Sequence, residues 1–217
     1  MNDLFEPLKL FLKNRETEYS LISAVRKEIL IKFSKKIKQE ISKNNFVKLL
    51  FVCTHNSRRS QIAQMLAHAS AEYLGIRNVQ TFSGGTEVTT FFKNSVEALT
   101  NIGFKIEKKY EKDQNPKYSV AINAKQEPIL GFSKLYSDSI NPNEKFIAVM
   151  VCSSADKTCP FVTGADARIS LPYPDPKIYD HTDEVLQKYI ETCQTISREI
   201  LFTFQNVKQC EFSLRNP

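Results

Sequence analysis

A cysteine and an arginine separated by five residues, in the run Cys53-Thr54-His55-Asn56-Ser57-Arg58-Arg59-Ser60, are the side chains of this sequence best suited to covalent chemistry. A thiolate is a strong nucleophile, and a guanidinium offers forked, charge-assisted hydrogen bonds to two oxygens of one anion. Five intervening residues let the loop curl into a cup, so that both groups meet the same ligand from different sides. The run stands between a buried-type strand and an amphipathic helix. A loop that feeds a helix N-terminus presents unpaired N–H groups and the positive end of the helix dipole, which bind an anion and favour thiolate over thiol. The expected oxyanion-binding residues are Thr54, His55, Asn56, Ser57, Arg58, Arg59 and Ser60, with the Ser60 hydroxyl donating to the Cys53 thiolate and His55 only lining the cup. A bare Cys-x5-Arg reads better as a buried cysteine and a surface cation; the flanking strand and helix decide for the cup.

Two further segments follow later strands. Cys152-Ser153-Ser154-Ala155-Asp156-Lys157-Thr158-Cys159-Pro160 comes directly after an apolar run, and loops at the C-terminal edge of a parallel sheet share one face, where ligands bind. Cys152 is therefore expected near Cys53, and Cys152 and Cys159 can join in a disulfide if the loop between them folds. Zinc is the rival reading, but the paired ligand clusters of zinc sites are missing and His55, His68 and His181 are scattered, so no metal is expected. In Tyr173-Pro174-Asp175-Pro176 a carboxylic acid sits on a proline-stiffened loop, where it serves either as a turn residue or as a general acid that protonates a departing oxygen. The company of Cys53 and Arg59 favours the acid. Cys193, on the apolar stripe of the last helix, reads as core filler, and Cys210 as an incidental thiol in a tail.

The elements that must position these groups follow from periodicity. Val47-Lys48-Leu49-Leu50-Phe51-Val52 reads as a buried strand, and Ile62, Leu66, Ala69 and Tyr73 mark a helix that stops at Gly75. Val79–Phe82 is a second strand, closed by Ser83-Gly84-Gly85-Thr86, and 94–102 a second helix stopped at Gly103. Phe146–Val151 and Arg168–Leu171 supply a third and a fourth strand, and Val185, Tyr189, Cys193, Ile196, Ile200 and Phe204 line a last helix. Strands alternating with helices imply an α/β fold, a parallel sheet covered on both faces. Residues 1–45 are expected as an N-terminal helical extension, with Leu4, Leu8 and Phe11 on a short helix and Ile22, Val25, Ile29, Phe33, Ile37 and Ile41 forming one stripe of a longer one. That extension reads as a helical hairpin packed on a catalytic domain spanning 46–217. Between about 105 and 145 periodicity is lost, and the stretch is expected to be an insertion of a hairpin and loops.

At 217 residues, 41% hydrophobic and 25% charged, the chain is long enough to bury a core and is neither disordered nor membrane-spanning in composition. The first residues lack the features of a secretory signal, and five irregularly spaced cysteines do not form a disulfide scaffold, so a cytoplasmic location is expected. The net charge of +6 is spread along the chain without a nucleic-acid motif. It suits small anions better.

The loop Cys53 to Ser60 resembles the signature loop of the low-molecular-weight protein tyrosine phosphatase superfamily, with Ser83-Gly84-Gly85-Thr86 and Asp175-Pro176 in matching order. Cys152-Ser153-Ser154-Ala155-Asp156 through Cys159-Pro160 is similar to the double-cysteine segment of the thioredoxin-coupled arsenate reductases in that superfamily, and Ser133-Lys134 resembles a short segment of the same enzymes. The resemblance spans about residues 46–204 and implies a four-stranded parallel sheet. Arg58 stands where many members carry a second cysteine, and Lys177-Ile178-Tyr179 follows Asp175-Pro176 where phosphatases carry adjacent aromatics. The resemblance implies an arsenate reductase without cofactor. Cys53 would attack the oxyanion, with Asp175 as acid and Arg59 and the loop amides holding charge. Cys152 and then Cys159 would pass on a disulfide for thioredoxin to reduce. A phosphatase acting on phosphate monoesters is the alternative, and a catalytically weak redox sensor or binding protein is a third. The expected ligands are small oxyanions (arsenate, phosphate or sulfate) or a phosphorylated substrate, with neither nucleic acid nor membrane as partner.

Overall fold

The computed structural model describes residues 4–109, 114–158 and 161–213. Its centre is a four-stranded parallel sheet built from β1 (Val47–Cys53), β2 (Val79–Gly85), β6 (Phe146–Met150) and β7 (Ala165–Ser170), in the order β2-β1-β6-β7. Successive residues of a strand face opposite sides, and Leu49, Leu50, Phe51 and Val52 are all fully buried, so both faces of β1 are covered. Against it lie α3 (Arg59–Leu74) and α5 (Ser153–Thr158), and α4 (Lys93–Asn101) and α6 (Val185–Ser213) pack with α3. The expected α/β class is observed.

Local signals account for the element ends. Gly75 takes a left-handed φ of 72° and returns its N–H to the carbonyls of Ala71 and Glu72, which ends α3. Gly103, at φ 113°, lets α1 (Glu6–Glu16) press on the chain just after α4: a Cβ there would lie 2.3 Å from the Leu8 nitrogen. The second N-terminal helix, α2 (Ala24–Asn44), is capped by the Ser23 hydroxyl and closed by left-handed Asn45. Both N-terminal helices pack on α6, with Leu8, Leu12, Leu30, Phe33 and Ile37 buried. Arg198 bonds Glu18 at 3.0 Å, and Tyr19 meets Phe202 edge-on.

Four expectations need adjusting. Val25 is 72% exposed, because Ile22 precedes the helix and its phase does not carry into α2. Ser83, Gly84 and Gly85 do not close β2 but belong to it, with Val52 paired to Gly84 and Cys53 to Gly85. The final helix runs on to Ser213, so Cys210 lies in helix rather than tail. Of residues 105–145, the described part holds a second, antiparallel sheet of β3 (Lys105–Lys108), β4 (Tyr118–Ala121) and β5 (Ile129–Gly131), after which the chain returns along Gly85.

Candidate functional site

The loop after β1 is held open by its neighbours. The Cys53 carbonyl accepts from the Thr86 N–H (3.2 Å), Thr54 from the Glu87 N–H (2.8 Å), and Ser57 from the Phe92 N–H (3.0 Å). His55 accepts from the Ser133 hydroxyl (2.7 Å) and Asn56 from the Gln61 amide (3.2 Å). Every carbonyl from 53 to 57 is thus spent on the surrounding scaffold. Among the described residues, no N–H of 54–58 has a protein acceptor. A run of unspent N–H donors ahead of a helix is an anion-binding arrangement.

Asn56 makes the turn possible, at a left-handed φ of 46° that asparagine tolerates better than most residues. Its fully buried side chain accepts from the Lys134 N–H (3.0 Å) and the Gln61 amide (3.1 Å) and donates to the Ser60 hydroxyl at 2.8 Å. With that bond received, Ser60 has its own proton free for the Cys53 sulfur 3.0 Å away. The expected Ser60–Cys53 contact is observed. Asn56 serves the cup from behind, through its side chain.

Arg59, the first residue of α3, donates to the Tyr173 carbonyl at 3.0 Å and pairs with the Asp175 carboxylate. The other Asp175 oxygen accepts from the Lys177 N–H at 3.1 Å, which caps a 3-10 turn over Pro176–Tyr179. Cys53, Thr54, His55, Ser57, Arg58, Arg59 and Asp175 line one small cleft. The structure therefore brings the expected nucleophile, cation and acid together.

Arg58 lines the cleft, but its guanidinium is committed elsewhere. It donates to Asp180 (2.6 Å) and to the Tyr189 hydroxyl (2.7 Å), and lies 3.9 Å over the Phe92 ring. Tyr189 in turn donates to Asp180 at 2.5 Å, and Asn94 adds a further donor at 3.1 Å. Burial and then the Asp180 acceptor push the Tyr189 hydroxyl above its ordinary range, so it stays a donor. His55 is half exposed, 3.3 Å from Glu87.

Cys152, 1% exposed at the start of α5, places its sulfur 3.6 Å from the Thr54 hydroxyl and accepts the Ala155 N–H at 3.3 Å. Cys152 thus adjoins the residue next to Cys53. Cys159, its expected partner, lies outside the described residues. Cys193 is fully buried, which pushes its thiol up and makes it a poor nucleophile. Among the described residues no cluster of histidine, cysteine and carboxylate side chains could hold a metal, and no helix is long and apolar enough to cross a membrane.

Several contributors come from a stretch with no role in the cup assigned from sequence. Ser133 holds His55 and also accepts the Thr89 N–H, and Asn115 clasps Ser133 from both sides. Lys134 is 3% exposed beside the Phe132 ring, and burial pulls its amine down to about 8. The two glycines of β2 and the Ser133-Lys134 pair were the available signals: a Cβ on Gly84 would meet the Tyr136 Cα at 2.3 Å, and one on Gly85 the Asn56 nitrogen at 2.8 Å.

Fold and site together define an α/β protein with a cysteine at the head of a loop of unspent N–H groups, at the C-terminal edge of its sheet. Residues 48–122 match the family described as low molecular weight phosphotyrosine protein phosphatase, a segment holding the loop and β2 but ending before Cys152 and Asp175. No curated protein matches the chain. Among solved structures, a low molecular weight phosphotyrosine phosphatase from Vibrio cholerae O395 is similar at TM-score 0.50 and 16% identity, covering 76% of this chain and 98% of that one. A low molecular weight protein tyrosine phosphatase from T. tengcongensis aligns at TM-score 0.45 and 16% identity, over 73% and 98% of the two chains. The YwlE arginine phosphatase from Geobacillus stearothermophilus aligns at 0.44 and 15%, over 79% and 97%. The likeness to the Vibrio protein is one of fold.

Proposed function

We propose that this chain is a phosphatase of the low molecular weight type that transfers a phosphoryl group from a monoester to Cys53 and then to water. The observation that carries this reading is the loop 53–60, with its carbonyls spent outward, its N–H groups unspent and the Ser60 hydroxyl at the Cys53 sulfur. The Cys53 thiolate attacks phosphorus. The sulfur–phosphorus bond forms as the bond to the ester oxygen breaks, and that oxygen takes its proton from Asp175. Arg59 and the loop N–H groups receive the charge that gathers on the three remaining oxygens. A water then attacks the phosphocysteine, Asp175 takes back a proton, and the thiolate returns with inorganic phosphate as product. The test is hydrolysis of a phosphate monoester with acid-quench trapping of a phosphocysteine. The reading predicts a Cys53 adduct in the wild type and no turnover in Cys53→Ser; a variant that keeps turnover would sink it.

A second reading, arsenate reduction, is favoured by Cys152 standing 3.6 Å from the Thr54 hydroxyl. Here Cys53 attacks arsenate, and a hydroxide-level oxygen leaves with a proton from Asp175. Cys152 then attacks the Cys53 sulfur, and the arsenic–sulfur electron pair goes to arsenic, which departs as arsenite. Cys159 takes over the bond to Cys152, and a dithiol such as thioredoxin restores both thiols. Thioredoxin-dependent arsenate consumption, lost in Cys152→Ser while ester cleavage persists, would establish it. Absence of turnover with either substrate would leave an oxyanion-binding protein.

A further inference from the structure

The segment that carries Asp175 is gripped from the far side by a residue of the N-terminal helices. It leaves β7 along β6, with the Leu171 N–H on the Met150 carbonyl (2.9 Å) and the Tyr173 N–H on the Val151 carbonyl (3.1 Å). From there to Asp175 the main chain is held by two arginines. Arg59 takes the Tyr173 carbonyl, and Arg26 of α2 takes the Pro172 carbonyl at 3.2 Å. Arg26 is itself fixed by a forked pair to Glu199 of α6, at 2.9 to 3.0 Å, with its guanidinium 5.0 Å over the buried Tyr173 ring. The pair is well shielded, with the two side chains 18% and 9% exposed. Burial, then the Glu199 carboxylate, push the Tyr173 hydroxyl well above its ordinary range, so the ring stays neutral under the cation.

We infer that Arg26 is a positioning residue for the general acid: its fork on Glu199 and its bond to Pro172 hold the 172–175 segment where the Asp175 carboxylate faces Arg59 and the cup. The inference rests on the reading of Asp175 as the acid that protonates the leaving oxygen. It gives the N-terminal extension, which precedes the family match, a part in the chemistry. A lysine could keep the charge but not the planar fork that serves Glu199 and Pro172 together.

General-acid loss shows itself in the leaving group, because a poor leaving oxygen needs the proton and a good one does not. The experiment compares kcat/KM for phenyl phosphate and p-nitrophenyl phosphate in the wild type, Asp175→Asn and Arg26→Gln. Asp175→Asn is expected to lower the phenyl phosphate value by about 10² to 10⁴ and the nitrophenyl value much less. Arg26→Gln is expected to widen the same ratio in the same direction, by roughly 10- to 100-fold, as for a reacting group displaced by an ångström or less. Phosphate protection of Cys53 from alkylation should stay at the wild-type level in Arg26→Gln. If the single change unfolds the chain by leaving Glu199 buried and unpaired, Arg26→Met with Glu199→Leu removes the charges together and keeps the packing. That double variant should show the widened ratio too. Equal losses on both esters, or no loss in a folded variant, would overturn the positioning role while Asp175 keeps its own. An unchanged ratio in Asp175→Asn would instead remove the acid assignment, and this inference with it.

Discussion

Gly85→Ala tests the claim that the anion loop is placed by backbone contact with β2. An added Cβ would lie 2.6 Å from the Glu87 oxygen, 2.7 Å from the Thr54 oxygen and 2.8 Å from the Asn56 nitrogen. Ordinary contact begins near 3.4 Å, so the three atoms must withdraw by about 0.6 to 0.8 Å. All three are backbone, and two belong to the cup. No rotamer change relieves them. Nor can the strand retreat, because Gly85 donates to the Lys134 carbonyl (2.8 Å), accepts from the Tyr136 N–H (2.9 Å) and pairs in register with Cys53. Gly85 has no left-handed φ, so the effect is one of space. Overpacking of this kind costs about 1 to 3 kcal/mol, and a cup displaced by most of an ångström loses roughly 10- to 100-fold in kcat/KM. Urea unfolding and monoester kinetics read the two effects. Gly131→Ala is the control: the nearest atoms to its Cβ would be the Phe91 ring at 3.0 and 3.1 Å and the Met65 methyl at 3.3 Å, side chains that can give. A Gly85→Ala protein with wild-type kinetics and undiminished phosphate protection of Cys53 would refute the placement of the loop.

Further outcomes follow from the same contacts. Lys134, pulled down to about 8 from 10.5 by burial, is charged in both states below pH 8, where its cost is fully present. Between pH 8 and 10.5 the unfolded chain binds the extra proton, so stability rises with pH, by an amount on the order of 3 kcal/mol. Denaturant titrations of Lys134→Met should show that rise missing and greater stability at pH 7; parallel pH curves for mutant and wild type would contradict the assignment. Asn56→Ala removes the bonds to Ser60, Gln61 and the Lys134 N–H together, and should cost more stability and more activity than Ser60→Ala, which loses the contact with sulfur and the bond from Asn56 but keeps the other two. An Asn56→Ala protein more active than Ser60→Ala would say that the asparagine is not the brace. In native protein, iodoacetamide should modify Cys53 and spare Cys193, whose thiol is raised and fully buried; mapping that finds Cys193 labelled before unfolding would count against the packing of α6. Cys152→Ser should leave monoester hydrolysis within about twofold of wild type, since that reaction needs only Cys53, Arg59 and Asp175. A large loss would place Cys152 in the hydrolytic step itself.

What the sequence determined by itself is local. The strand Val47–Cys53, the cup, the helix from Arg59 to its glycine stop, and the order of later strands were legible because each depends on spacing within some fifteen residues. Period, capping and turn chemistry act at that range. The meeting of Cys53, Arg59 and Asp175 was also within reach, since parallel strands must end at one edge. What only the tertiary structure decided is which side chain answers which. Arg58 looked like a cation for the cup, yet Asp180 and Tyr189, more than a hundred residues on, draw it away. Arg26 belongs to no motif in the sequence, yet it pairs with Glu199, 173 residues distant, and reaches the acid loop. Ser133 and Asn115 brace the loop from a stretch without periodicity. Hydrogen-bond and ion-pair partners set by folding leave no repeat in the sequence, because a polar side chain carries its bonding capacity but not the address of the group that will satisfy it.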